Sequence, residues 1–405
     1  MWEQIRSNHI RSIVLVAVMG AFLIGIGWLL GYSIASNGIA GIVIALVVYG
    51  LLNLVAYFQG DSILLSVAGA RKIKREDHPR LYNVVEEMKI ASGLEKMPDI
   101  YIIDDPALNA FATGRDINHA SVAITSGLLQ KLNRDELQGV IGHEIGHVKN
   151  RDVLLMALCS VLLGTIVILS YYGSRIMLFG GSTGGRRSSR SGGGGAGAAI
   201  VLVAALLLMI LAPIFAQLIY LAISRRREYL ADASSALYTR YPEGLASALE
   251  KLASSSVPVK NANQATAPMY IVNPFRKAGL NPSEWTSTHP PIQERVRILR
   301  AMAGNVSPAA YDQAFRSIKG AGSGIGTQPA ASLVGDVSIR APSTDATPLE
   351  PGTEQVTRAR EVSDMMYKLN DYKVIDCECG TRLKVPPALR GQIIRCPHCG
   401  RTHQA

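Results

Sequence analysis

The string His143-Glu144-Ile145-Gly146-His147 and the later Arg227-Glu228-Tyr229-Leu230-Ala231-Asp232 hold the residues of this chain best suited to chemistry. Residues four apart share a helix face, so His143 and His147 can aim imidazole nitrogens at one ion. Glu144 lies one position round, close enough to act on a metal-bound water without binding metal itself. Glu228 offers a third ligand. One turn on, Asp232 offers a carboxylate that can receive the other N–H of a ligand histidine. Two histidines, one glutamate, an open fourth position and a base make the inventory of a hydrolytic site, and these ligand types favour zinc.

A helix must carry the histidines. Leu137, Val140, Ile141, Ile145 and Val148 recur at helical spacing, which predicts an amphipathic helix with the histidines beside its buried seam. Asn133-Arg134-Asp135-Glu136 supplies an N-cap candidate and acidic first-turn residues.

The wider setting is a membrane. Hydrophobic residues make up 48% of the 405 and charged residues only 18%, which suits an integral membrane protein with a soluble portion better than a purely soluble enzyme. Four apolar segments, about 13–32, 39–58, 153–172 and 198–223, reach or approach the roughly 20 residues a bilayer requires. The first lacks a small-residue cleavage site and runs into the second, so it reads as a retained anchor rather than a signal peptide. The third starts just after the histidine helix and the fourth ends just before Glu228. If both span, the hairpin returns the chain to the zinc site on one membrane face; a buried hairpin in a soluble core is the alternative.

Arg71-Lys72-Ile73-Lys74-Arg75 and Arg225-Arg226-Arg227 flank these segments on that face, and the positive-inside rule makes it cytoplasmic. Arg175, Arg186, Arg187 and Arg190 dissent, in a Gly- and Ser-rich loop that would face outward. The net charge of +10 is thus explained by topology and anionic lipid rather than nucleic acid.

Asn109-Ala110-Phe111-Ala112-Thr113-Gly114, His143 to Val148, and Ser224 to Ala233 together resemble, in order and spacing, the HtpX-type membrane zinc metalloproteases, bacterial and archaeal relatives of the CAAX prenyl proteases. The resemblance covers about residues 1–302. It implies a gluzincin endopeptidase of the inner membrane that cleaves damaged or misassembled membrane proteins on the cytosolic side. The implied fold is mainly α and integral to the membrane, with four transmembrane helices and a zincin-like α+β catalytic domain whose small sheet lies beside the zinc helix. His143, His147 and Glu228 correspond to the ligands and Glu144 to the base.

The resemblance also draws in residues that spacing alone does not mark. His289 and Arg295, in Thr288-His289-Pro290-Pro291-Ile292-Gln293-Glu294-Arg295, match an element near the cleft. They would either stabilise the oxyanion of a tetrahedral intermediate or lock a loop onto the catalytic helix. Asn109, Ala110 and Phe111 precede an alternating stretch, Ala120 to Thr125, that predicts a strand. An exposed edge there would bind extended substrate through its backbone; a turn and core strand without substrate contact is the alternative. Asp232 either orients a histidine or pairs with Arg226.

After Gly304 the composition shifts. A helical patch, Tyr311 to Ile318, leads into a Gly-, Ser-, Pro- and Ala-rich run from about Gly320 to Gly352, expected to be a flexible tether spanning about 30 Å. Glu354 to Leu369 has helical character. Cys377, Cys379, Cys396 and Cys399 form two pairs, each followed by Gly, and read as a small zinc ribbon holding a second, structural zinc. His398 is a substitute ligand or a solvent-facing knuckle residue, and Cys159 a small packing residue. The ribbon is basic but lacks an aromatic stacking pair, so a protein partner is favoured over nucleic acid.

The expected organisation is an N-terminal transmembrane hairpin (1–58), a metalloprotease domain (59–304) that includes the hairpin 153–223, a flexible linker with short helices (305–370) and the ribbon (371–405). The expected partners are polypeptide substrates, membrane proteins among them, and the bilayer. Two other readings stay open: a membrane-tethered zinc-ribbon adaptor with an inactive or regulatory protease core, and a protease for prenylated C-termini.

Overall fold

The computed structural model describes residues 37–158, 225–262, 266–274, 289–302, 305–320, 337–343 and 351–404, plus scattered helical positions between 10 and 28 and between 203 and 214. Most of the expected spans 13–32, 153–172 and 198–223, the arginines of the third-to-fourth loop and Cys159 lie outside the described residues.

Helix α1, Gly38–Val67, opens under an Asn37 cap that accepts the Ala40 amide at 3.1 Å. Its 30 residues span about 45 Å at 1.5 Å per residue, more than the roughly 30 Å of hydrocarbon in a bilayer. Among the described residues it is the one helix long and apolar enough to cross a membrane. Ile39, Val43, Ile44, Val47, Leu51 and Leu54 are exposed along its first part, while Ala56, Gly60, Leu64 and Leu65 are buried. The helix therefore runs unbroken through residue 58, and its end packs on the folded domain.

That domain holds a four-stranded sheet of β1 (Ala70–Lys72), β2 (Asp99–Ile103), β3 (Ala110–Asp116) and β4 (His119–Thr125), in the order β1-β2-β4-β3. β2 and β4 are parallel, and the other neighbours are antiparallel. The connection from β1 to β2 is α2 (Pro79–Ser92), capped by His78 and ended by Gly93 in the left-handed region at φ 68°. After the short α3 (Ser126–Lys131) comes α4 (Arg134–Lys149), the histidine helix. Asn133 and Glu136 start it with a reciprocal capping box, and the buried Glu136 carboxylate is also satisfied by Ser247 and Lys251. The last two residues belong to α6 (Pro242–Ser254), which follows α5 (Arg225–Thr239).

Glycines on α4 set how closely these helices approach. A Cβ at Gly139 would lie 2.6 Å from the Leu245 amide nitrogen of α6, and one at Gly146 would lie 3.1 Å from Ser234 Cβ of α5. Leu137, Val140, Ile141, Ile145 and Val148 enter one core with Ile100, Ile102, Val122 and Ile124 of the sheet, as the helical spacing predicts.

Within 305–370, expected as a linker with short helices, the described parts include both helices, and most of the Gly- and Ser-rich run between them lies outside the described residues. After α7 (Ile292–Arg300), α8 (Pro308–Lys319) buries Tyr311, Ala314 and Phe315 in the main core, with the Phe315 ring centroid 4.9 Å from that of Tyr229. β5 (Asn305–Val306) pairs with β6 (Val337–Ser338). α9 (Pro351–Leu369) buries Val362 and Met365 in the same core, and Arg71 donates to the Leu369 carbonyl at its end. Apolar side chains at helical spacing, spread thinly among polar ones, hold these segments down. The ribbon follows as two hairpins, β7 (Lys373–Asp376) with β8 (Arg382–Val385), and β9 (Ile393–Arg395) with β10 (Thr402–Gln404).

Candidate metal and active site

Gly142 and Gly146 bring α4 and α5 close enough for Glu228 to face both histidines. The Nε2 atoms of His143 and His147 are 3.2 Å apart; Glu228 Oε2 lies 3.6 Å from the first and Oε1 3.5 Å from the second. The Nδ1 atoms are spoken for. That of His143 is 3.0 Å from Asp232 Oδ1, and that of His147 is 3.1 Å from Asp152 Oδ2. With Nδ1–H donating to a carboxylate, each ring leaves its Nε2 lone pair aimed at the common point.

These residues fit a zinc ion by donor set and by charge. One donor atom from each of His143, His147 and Glu228 lies within 4.8 Å of the others. Glu228 Oε2 and both Glu144 carboxylate oxygens are buried without a hydrogen bond among the described residues. Glu144, Glu228, Asp232 and Asp152 are buried with two guanidiniums, Arg295 and Arg227. With both imidazoles neutral, as metal ligation requires, four carboxylates against two guanidiniums leave two negative charges, which a divalent cation would balance.

The protein's own charges set the protonation of the cluster. Burial pushes the Glu144 carboxyl up, and the two imidazoles beside it pull the other way. Burial opposes ionisation of Glu228, yet His289, the ligand histidines and Arg295 hold it well below the usual carboxylate range. Burial likewise resists protonation of His143, but the hydrogen bonds to Asp232 and Glu228 outweigh it and raise the metal-free imidazole to about 9. His289 is lowered, chiefly by burial.

Arg295 is fully buried and commits its guanidinium to Asp232, with Nε 2.8 Å from Oδ2 and Nη2 2.6 Å from Oδ1. Those donors tie α7 to α5, the contact that the locking alternative requires, and Nη1 lies 3.4 Å from Glu228 Oε2. Asp232 pairs with Arg295 and His143, the orienting alternative. His289 is buried close enough to Glu228 for their charges to interact.

The side chains of Asn109, Ala110 and Phe111 face the protein's interior, not a cleft. Asn109 donates to the Val272 carbonyl at 2.9 Å and accepts the Ala110 amide at 3.1 Å, while the Ile271 amide donates to the Ala110 carbonyl at 3.0 Å. Phe111 stacks edge-on with Tyr270 at 5.2 Å. The segment 266–274 thus covers the start of β3, and the three residues anchor it.

Sequence reasoning missed Asp152, Arg227 and Tyr311. Asp152 stands five positions after His147, at the start of an apolar run that hides it. Arg227 Nη1 lies 3.9 Å from Asp152 Oδ1.

The second cluster brings one sulfur from each of Cys377, Cys379, Cys396 and Cys399 within 4.8 Å of the others. Gly380 and Gly400, at φ 82° and 76°, turn each knuckle so that their amides donate to the Cys377 and Cys396 carbonyls at 2.8 and 2.9 Å. His403 Nε2 lies 3.2 Å from Cys377 Sγ, whereas His398 is exposed.

Residues 75–303 match peptidase family M48. The chain is 44% identical to a protease HtpX homolog of Dictyoglomus turgidum over 74% of this chain and 94% of that one. It is 42% identical to a protease HtpX homolog of Streptococcus pyogenes serotype M28 over 75% of this chain and the whole of that one. Among solved structures it is similar to S. mikatae Ste24p, with 20% identity and a TM-score of 0.40 over 74% of this chain and 67% of that one.

Proposed function

This chain belongs to peptidase family M48, among the HtpX proteases, and is a membrane zinc metalloendopeptidase acting on polypeptides; from there we propose how its residues divide the work. His143, His147 and Glu228 hold the zinc, and Glu144 is the general base. The observation that carries this assignment is the pair of Nε2 atoms 3.2 Å apart, each ring fixed by an aspartate, beside the buried Glu144 carboxylate.

When bound, zinc polarises the scissile carbonyl and acidifies water. Glu144 takes the proton of the attacking water and returns it to the leaving amine; its upward-shifted carboxyl suits a group that must both accept and release. Asp232 and Asp152 keep the imidazoles in register, and Arg295 neutralises Asp232. His289 faces the developing oxyanion. The outer side of β3 around Ala112 to Gly114 takes extended substrate through its backbone, beyond the part that residues 266–274 cover.

The chain crosses the membrane four times, near residues 13–32, 39–58, 153–172 and 198–223, with the catalytic domain cytoplasmic. Support comes from Arg71, Lys72, Lys74 and Arg75, which follow α1 directly. α1 packs against β3, so the membrane helix abuts the strand that would receive substrate, which favours damaged or misassembled membrane proteins. The four cysteines hold a structural zinc, with His403 donating to Cys377, and the ribbon serves a protein partner. An adaptor with a dead protease core is disfavoured, since nothing in metal binding would preserve Glu144.

The test is cleavage of an unfolded protein by the detergent-purified chain beside Glu144→Gln. The variant should keep its zinc and lose at least about a thousandfold in kcat. Cleavage equal to wild type would end the assignment.

A further inference from the structure

The family match ends at residue 303, and the S. pyogenes relative is matched over its whole length by three quarters of this chain. The chain beyond that match is nonetheless joined to the helix pair that carries the site. α4 and α5 run antiparallel, with Gly146 against Ala231, Gly142 against Ser235, and the Ser235 hydroxyl donating to the Gly139 carbonyl at 2.6 Å. Where α4 begins and α5 ends, residues 337–343 lie across both.

Arg340 makes most of this bridge. On α4 its Nη2 donates to Asp135 Oδ1 at 2.6 Å and to Gln138 Oε1 at 2.7 Å. On α5 its Nε donates to the Thr239 carbonyl at 2.9 Å, and just past the helix its amide donates to the Arg240 carbonyl at 3.0 Å. Ser343 adds its amide and hydroxyl to Asp135, at 2.9 and 2.7 Å. Nearer the site, the fully buried Tyr311 of α8 donates its hydroxyl to Asp232 Oδ2 at 3.4 Å, on the carboxylate that orients His143.

We propose that residues 305–320 and 337–343 are a built-in brace of the zinc site, with Arg340 and Tyr311 as positioning residues. Arg340 fixes the register of α4 against α5, and Tyr311 shares in orienting His143 through Asp232. The reason is geometric. Two ligands ride on α4 and the third on α5, so any slide of one helix along the other moves Glu228 off the imidazole pair. A fork that bonds both helices at once resists that slide where a single ion pair would not. Asp135 sits at the first turn of α4, where a carboxylate also faces the positive end of the helix dipole. The proposal rests on His143, His147 and Glu228 being the ligands.

The experiment follows zinc release from the full-length, detergent-purified protein to a chromogenic chelator, well below its thermal midpoint. The phase that His143→Ala abolishes belongs to this site; any phase that persists belongs elsewhere. Arg340→Gln and Tyr311→Phe should each speed the His143-dependent phase about tenfold, the scale of losing an outer partner of a ligand, and leave other phases unchanged. With an unfolded protein substrate, kcat should fall and KM hold. Arg340→Lys should restore part of the loss, since an ammonium reaches Asp135 without spanning both helices. Wild-type release in both Arg340→Gln and Tyr311→Phe, even with a lowered thermal midpoint, would overturn the brace alone. A wild-type trace with no His143-dependent phase would remove the metal assignment, and the brace with it.

Discussion

At the cluster of His143, His147 and Glu228 no ligand is more than 6% exposed, and each hangs from a helix of 15 or 16 residues locked into the main core. The thiol cluster is built the other way: its own core amounts to Cys377, Leu383 and Cys396, with Ile375, Cys379 and Ile394 against it. The first site exists because a scaffold holds its donors together. At the second, the donors are themselves most of what there is to hold. Metal should therefore be a passenger in one fold and a structural member of the other.

Metal removal tests that contrast most severely. After exhaustive chelation, amide protection across residues 373–404 should disappear, while that of 134–149 and 225–239 persists. Hydrogen exchange read by mass spectrometry reports both at once. Protection lost in both regions would mean that the catalytic helices also need their ion; protection kept in both would make the ribbon a true small fold.

The same contrast explains what could be read in advance. The donors of both clusters were legible because helical and knuckle spacing are local: His143 and His147 one turn apart, the cysteine pairs each before a glycine. The N-cap at Asn133 was local too. Asp152, the commitment of Arg295 to Asp232, and the docking of residues 305–320 and 337–343 were not, because each depends on which distant segment arrives. The helix around Tyr311, Ala314 and Phe315 is legible from local spacing, but its docking partner is not. Asn109 to Phe111 leave two readings open in the sequence for a related reason: only the packing of Val272 and Tyr270 shows which way their side chains point.

Within the scaffold, Arg295 separates two roles. Arg295→Ala should destabilise the zinc-loaded protein by about 3–5 kcal/mol, since it strands the buried Asp232 carboxylate. Urea unfolding would measure it. Unchanged stability with a large loss of kcat would instead support the oxyanion role.

Acid should strain the scaffold through His78. Its Nδ1 accepts the Leu81 amide at 3.0 Å to start α2. Burial, reinforced by the Arg80 charge, lowers its pKa from 6.5 to about 4. Between those values the unfolded chain binds a proton that the folded one refuses. Stability from this group is thus complete above pH 6.5, falls through the window and levels off below about 4, for a total on the order of 3 kcal/mol. His78→Asn keeps a capping acceptor without titrating, so its stability should lose that slope. A slope identical to wild type would assign it to other groups.

The smallest effect belongs to α7 itself, five residues from Arg295. Arg300 donates to both Glu243 and Glu250 on α6, at 2.6 to 3.2 Å, which on paper is a fuller set of ion pairs than Arg295 has. Yet it is 43% exposed, and its partners are 44% and 50% exposed. Water solvates all three groups once the pairs break, and salt screens them while they last. Arg300→Ala should cost no more than about 1 kcal/mol and should cost less as salt rises, whereas the Arg295→Ala penalty should barely respond to salt. The two variants share a helix, a residue type and a partner chemistry, so their difference isolates burial. Equal penalties at high salt would mean that the number of hydrogen bonds, not desolvation, governs how this scaffold holds its site.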